Sequence, residues 1–153
     1  MSALRVTGLL VTWCALTLVP ASAVAQLTVA PQKDLEFGTV EPSIGAIVAP
    51  TEANRRAAFR VQGDGSYIAQ FVLPSVLTGP TGATFPLSFA PGDGMLQIGG
   101  TRITFDPHQP LPFTAEPRQP RRFFLGGRAG PGPGVPVGTY TAVITLTIVQ
   151  AGA

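Results

Sequence analysis

Apolar residues are arranged in two different ways along this chain. Residues 6–19 form an almost unbroken apolar run, whereas from Leu27 onward apolar and polar residues alternate in short stretches punctuated by glycine and proline. After residue 25 no stretch repeats apolar residues at helical spacing, and period-two runs rich in Val, Ile, Thr, Phe and Tyr are the mark of half-buried strands. The pattern predicts strands over Leu27–Ala30, Leu35–Val40, Ile44–Ala49, Ala57–Gln62 and Tyr67–Leu73, then Thr84–Phe89, Met95–Ile98, Thr101–Phe105, Arg122–Leu125 and Thr139–Val149. Short strands with turn signals roughly every 8 to 12 residues point to an all-β antiparallel sandwich or barrel.

The last of these strands has the clearest alternation. Tyr140, Ala142, Ile144, Leu146 and Ile148 share one face, and the other carries mostly threonine, as in an antiparallel strand with one wet side. Phe37, Phe59, Phe71, Phe105 and Tyr140 take alternating positions inside strands and are assigned to the core. Gly99-Gly100 reads as a two-residue hairpin between its flanking strands, and Pro91-Gly92-Asp93-Gly94 as a turn that closes a hairpin onto Met95. Two segments resist this reading. Asp106–Pro120 holds five prolines and Gly126–Gly138 is rich in glycine and proline, so both are expected to be surface loops. Gly38 interrupts the strand Leu35–Val40 on the face opposite Leu35 and Phe37, which predicts a bulge or a close backbone approach there.

The first 25 residues have the layout of a secretory signal peptide: Arg5 near the start, the apolar run, Pro20, then small residues. The run is shorter than the ~20 residues a spanning helix needs, so no transmembrane segment is expected once it is removed. Cleavage after Ala25 fits Ala23-Val24-Ala25, and cleavage after Ala23 fits Ala21-Ser22-Ala23. Residues 1–25 are therefore read as the signal peptide and 26–153 as one β-sandwich domain. Cys14 is the chain's one cysteine, and bulky Trp13 before it argues against lipid attachment. The mature chain then has neither disulfide nor thiolate metal site.

Charge changes the picture little. Without Arg5 the ten basic residues become nine against eight acidic ones, so the net charge falls from +2 to +1. No footprint for nucleic acid follows from such a balance.

Three ordered patterns carry a family resemblance: Leu35-Glu36-Phe37-Gly38-Thr39-Val40; Ala57-Ala58-Phe59-Arg60-Val61-Gln62-Gly63 followed by Tyr67 to Pro74; and Gly138-Thr139-Tyr140-Thr141. In order and spacing they resemble the landmarks of a family of exported bacterial proteins defined only as a domain of unknown function. That family is similar to the spore-coat-U-like and chaperone–usher pilin sandwiches. The resemblance implies an Ig-like, pilin-like fold and assembly by strand completion between subunits, with like subunits or an assembly chaperone as partners. The sequence departs from these relatives in lacking a cysteine pair, in having Ala142 where a final glycine is usual, and in its short segment before Leu35.

Candidate chemistry is sparse. His108 is the one histidine and sits in a proline-rich stretch, and Ser88, His108 and Asp106 make a triad only on paper. The carboxylates are scattered, with no calcium-loop spacing, and Asp64 and Asp93 read as turn formers. No catalytic, cofactor-binding or metal site is assigned. The expectation is a non-enzymatic structural or adhesive protein exported to the periplasm, cell surface or medium. It would act through strand edges carrying Leu27, Val29, Tyr140, Ile144, Leu146 and Ile148. The alternative is a monomeric module for a glycan or other ligand, using an exposed Phe113 and the basic cluster Arg118, Arg121 and Arg122.

Overall fold

Hydrogen-bonded pairing gathers the alternating stretches into antiparallel sheets. The structure, a computed structural model, describes residues 2–5 and 26–152. The apolar run 6–19, with Trp13 and Cys14, and both expected cleavage positions lie outside the described residues. The strands in chain order are β1 (Ser2–Arg5), β2 (Thr28–Lys33), β3 (Glu36–Val40), β4 (Ala46–Val48), β5 (Ala57–Gln62), β6 (Gly65–Val72) and β7 (Val76–Thr78). They continue as β8 (Thr84–Ser88), β9 (Gly94–Ile98), β10 (Thr101–Phe105), β11 (Leu111–Ala115), β12 (Arg121–Leu125), β13 (Gly127–Ala129) and β14 (Thr145–Gln150). Three sheets result, ordered β10-β9-β12-β5-β2, β11-β6-β14 and β4-β13-β8-β7, with β1 and β3 as a separate pair. The fold is all-β and sandwich-like.

An aromatic layer joins the five-stranded and three-stranded sheets. Phe71 on β6 lies 5.7 Å from Phe59 on β5, 5.9 Å from Phe105 on β10 and 6.2 Å from Phe123 on β12. The first and last pairs meet edge to face and the Phe105 pair is stacked, and rings in either arrangement at these separations gain roughly 0.5–1.5 kcal/mol per pair beyond the area they bury. Leu35, Phe37, Val40, Val48, Leu77, Phe85, Tyr140, Ile144 and Leu146 continue the same buried cluster. Tyr140 is completely buried, and its hydroxyl donates to the Pro136 carbonyl at 2.8 Å, which satisfies a polar atom that water cannot reach. Tyr67 does likewise with the Asp64 carbonyl, and burial followed by the Asp64 charge raises its phenol above the ordinary range.

The third sheet continues the first around a corner. Its order β4-β13-β8 repeats β5-β12-β9, each strand meeting its sequence neighbour across a bend. At the bend Asp93 accepts from the Ala90 amide through its carboxylate (2.6 Å), and the Gly126 amide donates to the Asp93 carbonyl (2.8 Å). Gly126 lies where the chain passes from β12 to β13, and a Cβ there would collide with the Val48 carbonyl. The segment Pro91–Gly94 is thus a turn, as expected, but it links two sheets rather than closing a hairpin, because β9 pairs with β10 and β12 and never with β8. Gly99-Gly100 does close a two-residue hairpin, with Thr101 opposite Ile98.

Both segments expected to be loops contain strands. β11 pairs with β6 and places Pro112 opposite Ile68; it is an edge strand, where a residue without an N–H is tolerated. β13 lies centrally between β4 and β8, since its three residues contain no proline. The long terminal strand is interrupted: Thr141 makes an isolated bridge to Thr78, and continuous pairing with β6 begins at Thr145. Gly38 has φ +73, and the β1–β3 register slips beside it, between Leu4 and Arg5. A Cβ at Gly38 would meet nothing within 4 Å, so the bulge needs glycine for its backbone and not for a close approach.

Two glycines therefore resist substitution for different reasons. Gly126→Ala is expected to cost about 3 kcal/mol, because main chain must move. Gly38→Ala should cost about 1–2 kcal/mol, the left-handed penalty of an L-residue, with Gly38→Asn milder than Gly38→Val. Urea unfolding of the four variants checks the order.

Candidate functional site

Period-two geometry decides where each candidate side chain goes. Ile144, just before β14, and Leu146 and Ile148 within it face inward and are buried with Tyr140 in the protein's own core. These side chains are unavailable to a partner, which corrects the expectation that they form an interaction surface. The backbone of β14 is different: β14 is the outer strand of its sheet. Leu27 and Val29 are half-buried against the core, and Val29 sits opposite Val61 in β2, which is itself the outer strand of the five-stranded sheet.

Phe113 is also interior, contrary to its expected exposure. It lies 5.2 Å from Phe123, edge to face, and 5.9 Å from Tyr67. Leu111, Phe113 and Ala115 alternate with Pro112 and Thr114, a strand signal that the surrounding prolines obscured.

The basic cluster divides. Arg121 shares the inner face of β12 with Phe123 and Leu125 and is only 3% exposed. Its guanidinium donates to the Thr114 carbonyl (2.7 Å), the Gln119 carbonyl and side chain (3.0 Å each) and the Glu116 carboxylate (3.2 Å). These bonds tie the turn Glu116–Gln119 and the edge strand β11 to β12, so Arg121 is a fastening between sheets and not a ligand-facing cation. Arg118 and Arg122 are exposed. The period-two signal that separates them was present, since Arg121 is two residues before Phe123.

The triad on paper does not assemble. The Asp106 carboxylate accepts from the His108 backbone amide at 2.9 Å, while the His108 ring bonds through Nε2 to the Phe89 carbonyl at 2.8 Å. Ser88 is exposed on β8, opposite Arg128 on β13. Among the described residues no group of three or more His, Cys, Asp or Glu side chains converges as a metal site. Two shallow hollows of about 280 and 190 Å³ open on the surface, lined respectively by Gln26, Thr28, Gln62, Gly63, Asp64 and Pro117, and by Gln97, Gly99, Gln119, Pro120 and Arg122. Among the described residues no helix is long and apolar enough to cross a membrane.

What remains of the expected strand-edge surface is main chain, at β14, β2 and β3. β3 is held on one side by Arg55, whose guanidinium donates to the Glu36 and Phe37 carbonyls (3.3 and 2.6 Å), while the Glu36 amide donates to the Arg55 carbonyl (2.8 Å). Antiparallel β1 pairs with β3, Ser2 opposite Val40 and Arg5 opposite Glu36. Sequence reasoning missed this edge because its partner belongs to the stretch read as a leader. No family model matches this chain, and no curated protein matches it.

The division of the arginines is measurable. Arg121→Gln is expected to lower unfolding free energy by about 2–3 kcal/mol, since it leaves buried acceptors unpaired. Arg118→Gln and Arg122→Gln should each change it by less than about 0.5 kcal/mol. Denaturant titrations of the three variants compare them directly.

Proposed function

We propose that the protein is an exported, non-enzymatic structural or adhesive β-sandwich that associates with like subunits, or is escorted by an assembly chaperone, through its strand edges. The observation that carries this reading is the pairing of Ser2–Arg5 with Glu36–Val40. Removal of residues 1–25 as a signal peptide takes away that partner and leaves the main chain of β3 open along one edge. The edge is preformed: Phe37 and Val40 are anchored in the core, next to buried Leu35, so the strand keeps its shape when uncovered.

A donor of matching length exists in the same chain. β14 is an outer strand of six residues with Leu146 and Ile148 already buried, so it offers a row of main-chain groups without unravelling its own sheet. Exposed Val149 on β14 and Val143 just before it give this edge apolar contact area. β3 of one copy joined to β14 of the next is a head-to-tail contact, which builds open chains unless rotation closes a ring. Such addition supplies hydrogen bonds from main chain and register from side-chain alternation. The resemblance to pilin-like sandwiches supports the same reading.

Sedimentation of the mature chain, residues 26–153, tests it. Association that rises with concentration is expected. It should be suppressed when Met1–Arg5 is rejoined to Gln26 through a flexible Gly/Ser linker, because the restored strand occupies the β3 edge. A mature chain that stays monomeric at millimolar concentration, with β3 amides exchanging freely, would refute association through this edge.

A further inference from the structure

The outer face of the five-stranded sheet concentrates positive charge that the overall balance conceals. Cross-strand registers place Arg60 opposite Arg122, Arg122 opposite Gln97, and Gln97 opposite Arg102, so the four form one row across β5, β12, β9 and β10. At the ~4.8 Å spacing of neighbouring strands the row is about 14 Å long. All four lie on the face opposite Phe59, Phe123, Leu96 and Phe105. The five strands of this sheet contain no aspartate or glutamate at all, and among the described residues none of these three arginines forms an ion pair. The neighbouring row, Ala58, Phe124 and Met95, is a small buried apolar patch, with the Arg56 guanidinium 3.5 Å over the Phe124 ring.

This arrangement works against the fold. Like charges directly opposite one another in a sheet are destabilising, and Arg60 keeps a buried Nε with no hydrogen-bond partner. Burial, then the charge of Arg102, holds the Arg56 guanidinium below its ordinary range, a sign of the same crowding. Arg121 shows the contrast: all three of its nitrogens are bonded, whereas Arg60 donates only through Nη2, to the Gln62 side chain at 3.0 Å.

We propose that the row Arg60, Arg122, Gln97 and Arg102 binds an extended acidic polysaccharide. Guanidinium forks take carboxylate or sulfate groups bidentately, and a row four strands wide suits anions repeated along a linear chain. The hollow at the row's centre adds neutral donors and acceptors. Gln97 and Gln119 line it beside Arg122, and the two glutamine amides suit the hydroxyls between the acid groups of a sugar polymer. Single-stranded nucleic acid fits less well, because it is held by exposed rings on which bases stack, and Phe124, the one ring on this face, is 4% exposed and covered by Arg56. A duplex fits less well again, since the face is a flat sheet with no element to enter a groove. The inference needs no association between copies and stands or falls separately from it.

Titration calorimetry of the mature chain with polygalacturonate at low salt tests the proposal, alongside neutral dextran, single-stranded oligothymidylate and phosphatidylglycerol vesicles. Binding to polygalacturonate alone is expected, weakening as salt rises. Arg60→Gln, Arg102→Gln and Arg122→Gln should each weaken it about fivefold, and the triple variant should abolish it. The midpoint of thermal unfolding should hold or rise in these variants, which separates lost binding from lost folding. No binding to polygalacturonate, tighter binding to the oligonucleotide or the vesicles, or an equal loss from Arg118→Gln and Arg128→Gln would each overturn it, the last because it would mean bulk charge and not the row.

Discussion

The packing of Phe71 against Phe59, Phe105 and Phe123 holds the two facing sheets together, and the remaining structure is arranged around it. The described residues contain no cysteine and no α-helix, so neither cross-links nor a covering helix can substitute for that layer. Each of the four rings comes from a different strand, β6, β5, β10 and β12, and each is separated from the others by at least twelve residues of chain. Nothing local holds them in place. The hairpin at Gly99-Gly100, the corner at Asp93 and Gly126, and the fastening by Arg121 are the devices that bring those strands to a common register.

The same alternation that builds the core also sorts the charges. On β12, Arg121 and Phe123 turn inward while Arg122 and Phe124 turn outward, so two arginines adjacent in sequence have opposite fates. The inner one meets four oxygen acceptors and knits two sheets at their end. The outer one meets Arg60 across one strand and Gln97 across the other, without a carboxylate in the sheet to offset it. A near-neutral chain can in this way carry a strongly polarised face, because strand parity separates what composition averages.

Edges and faces present different chemistry to a partner. The outer edge of β14 offers main-chain hydrogen bonds, and β3, bounded on one side by Arg55, would offer them on the other only under the proposed removal of Ser2–Arg5; such bonds are indifferent to side-chain identity. The arginine row offers side-chain charge and is indifferent to backbone. The residues first expected to mediate contact, Ile144, Leu146, Ile148 and Phe113, serve the core instead.

By itself the sequence determined the class of the fold and most of its strands. β5 and β10 were legible to the residue, as were the hairpin at Gly99-Gly100, the turn at Asp93, the core places of Phe37, Phe59, Phe105 and Tyr140, and the bulge at Gly38. Each of these is a local matter of period-two alternation or backbone tolerance. β11 and β13 were hidden because proline and glycine signal loops by composition, whereas an edge position excuses Pro112 and a tight corner requires Gly126. Pairing between distant strands has no local signature. Only the tertiary structure could decide that Arg60, Arg102 and Arg122 stand in one row and that Glu36–Val40 takes its partner from Ser2–Arg5.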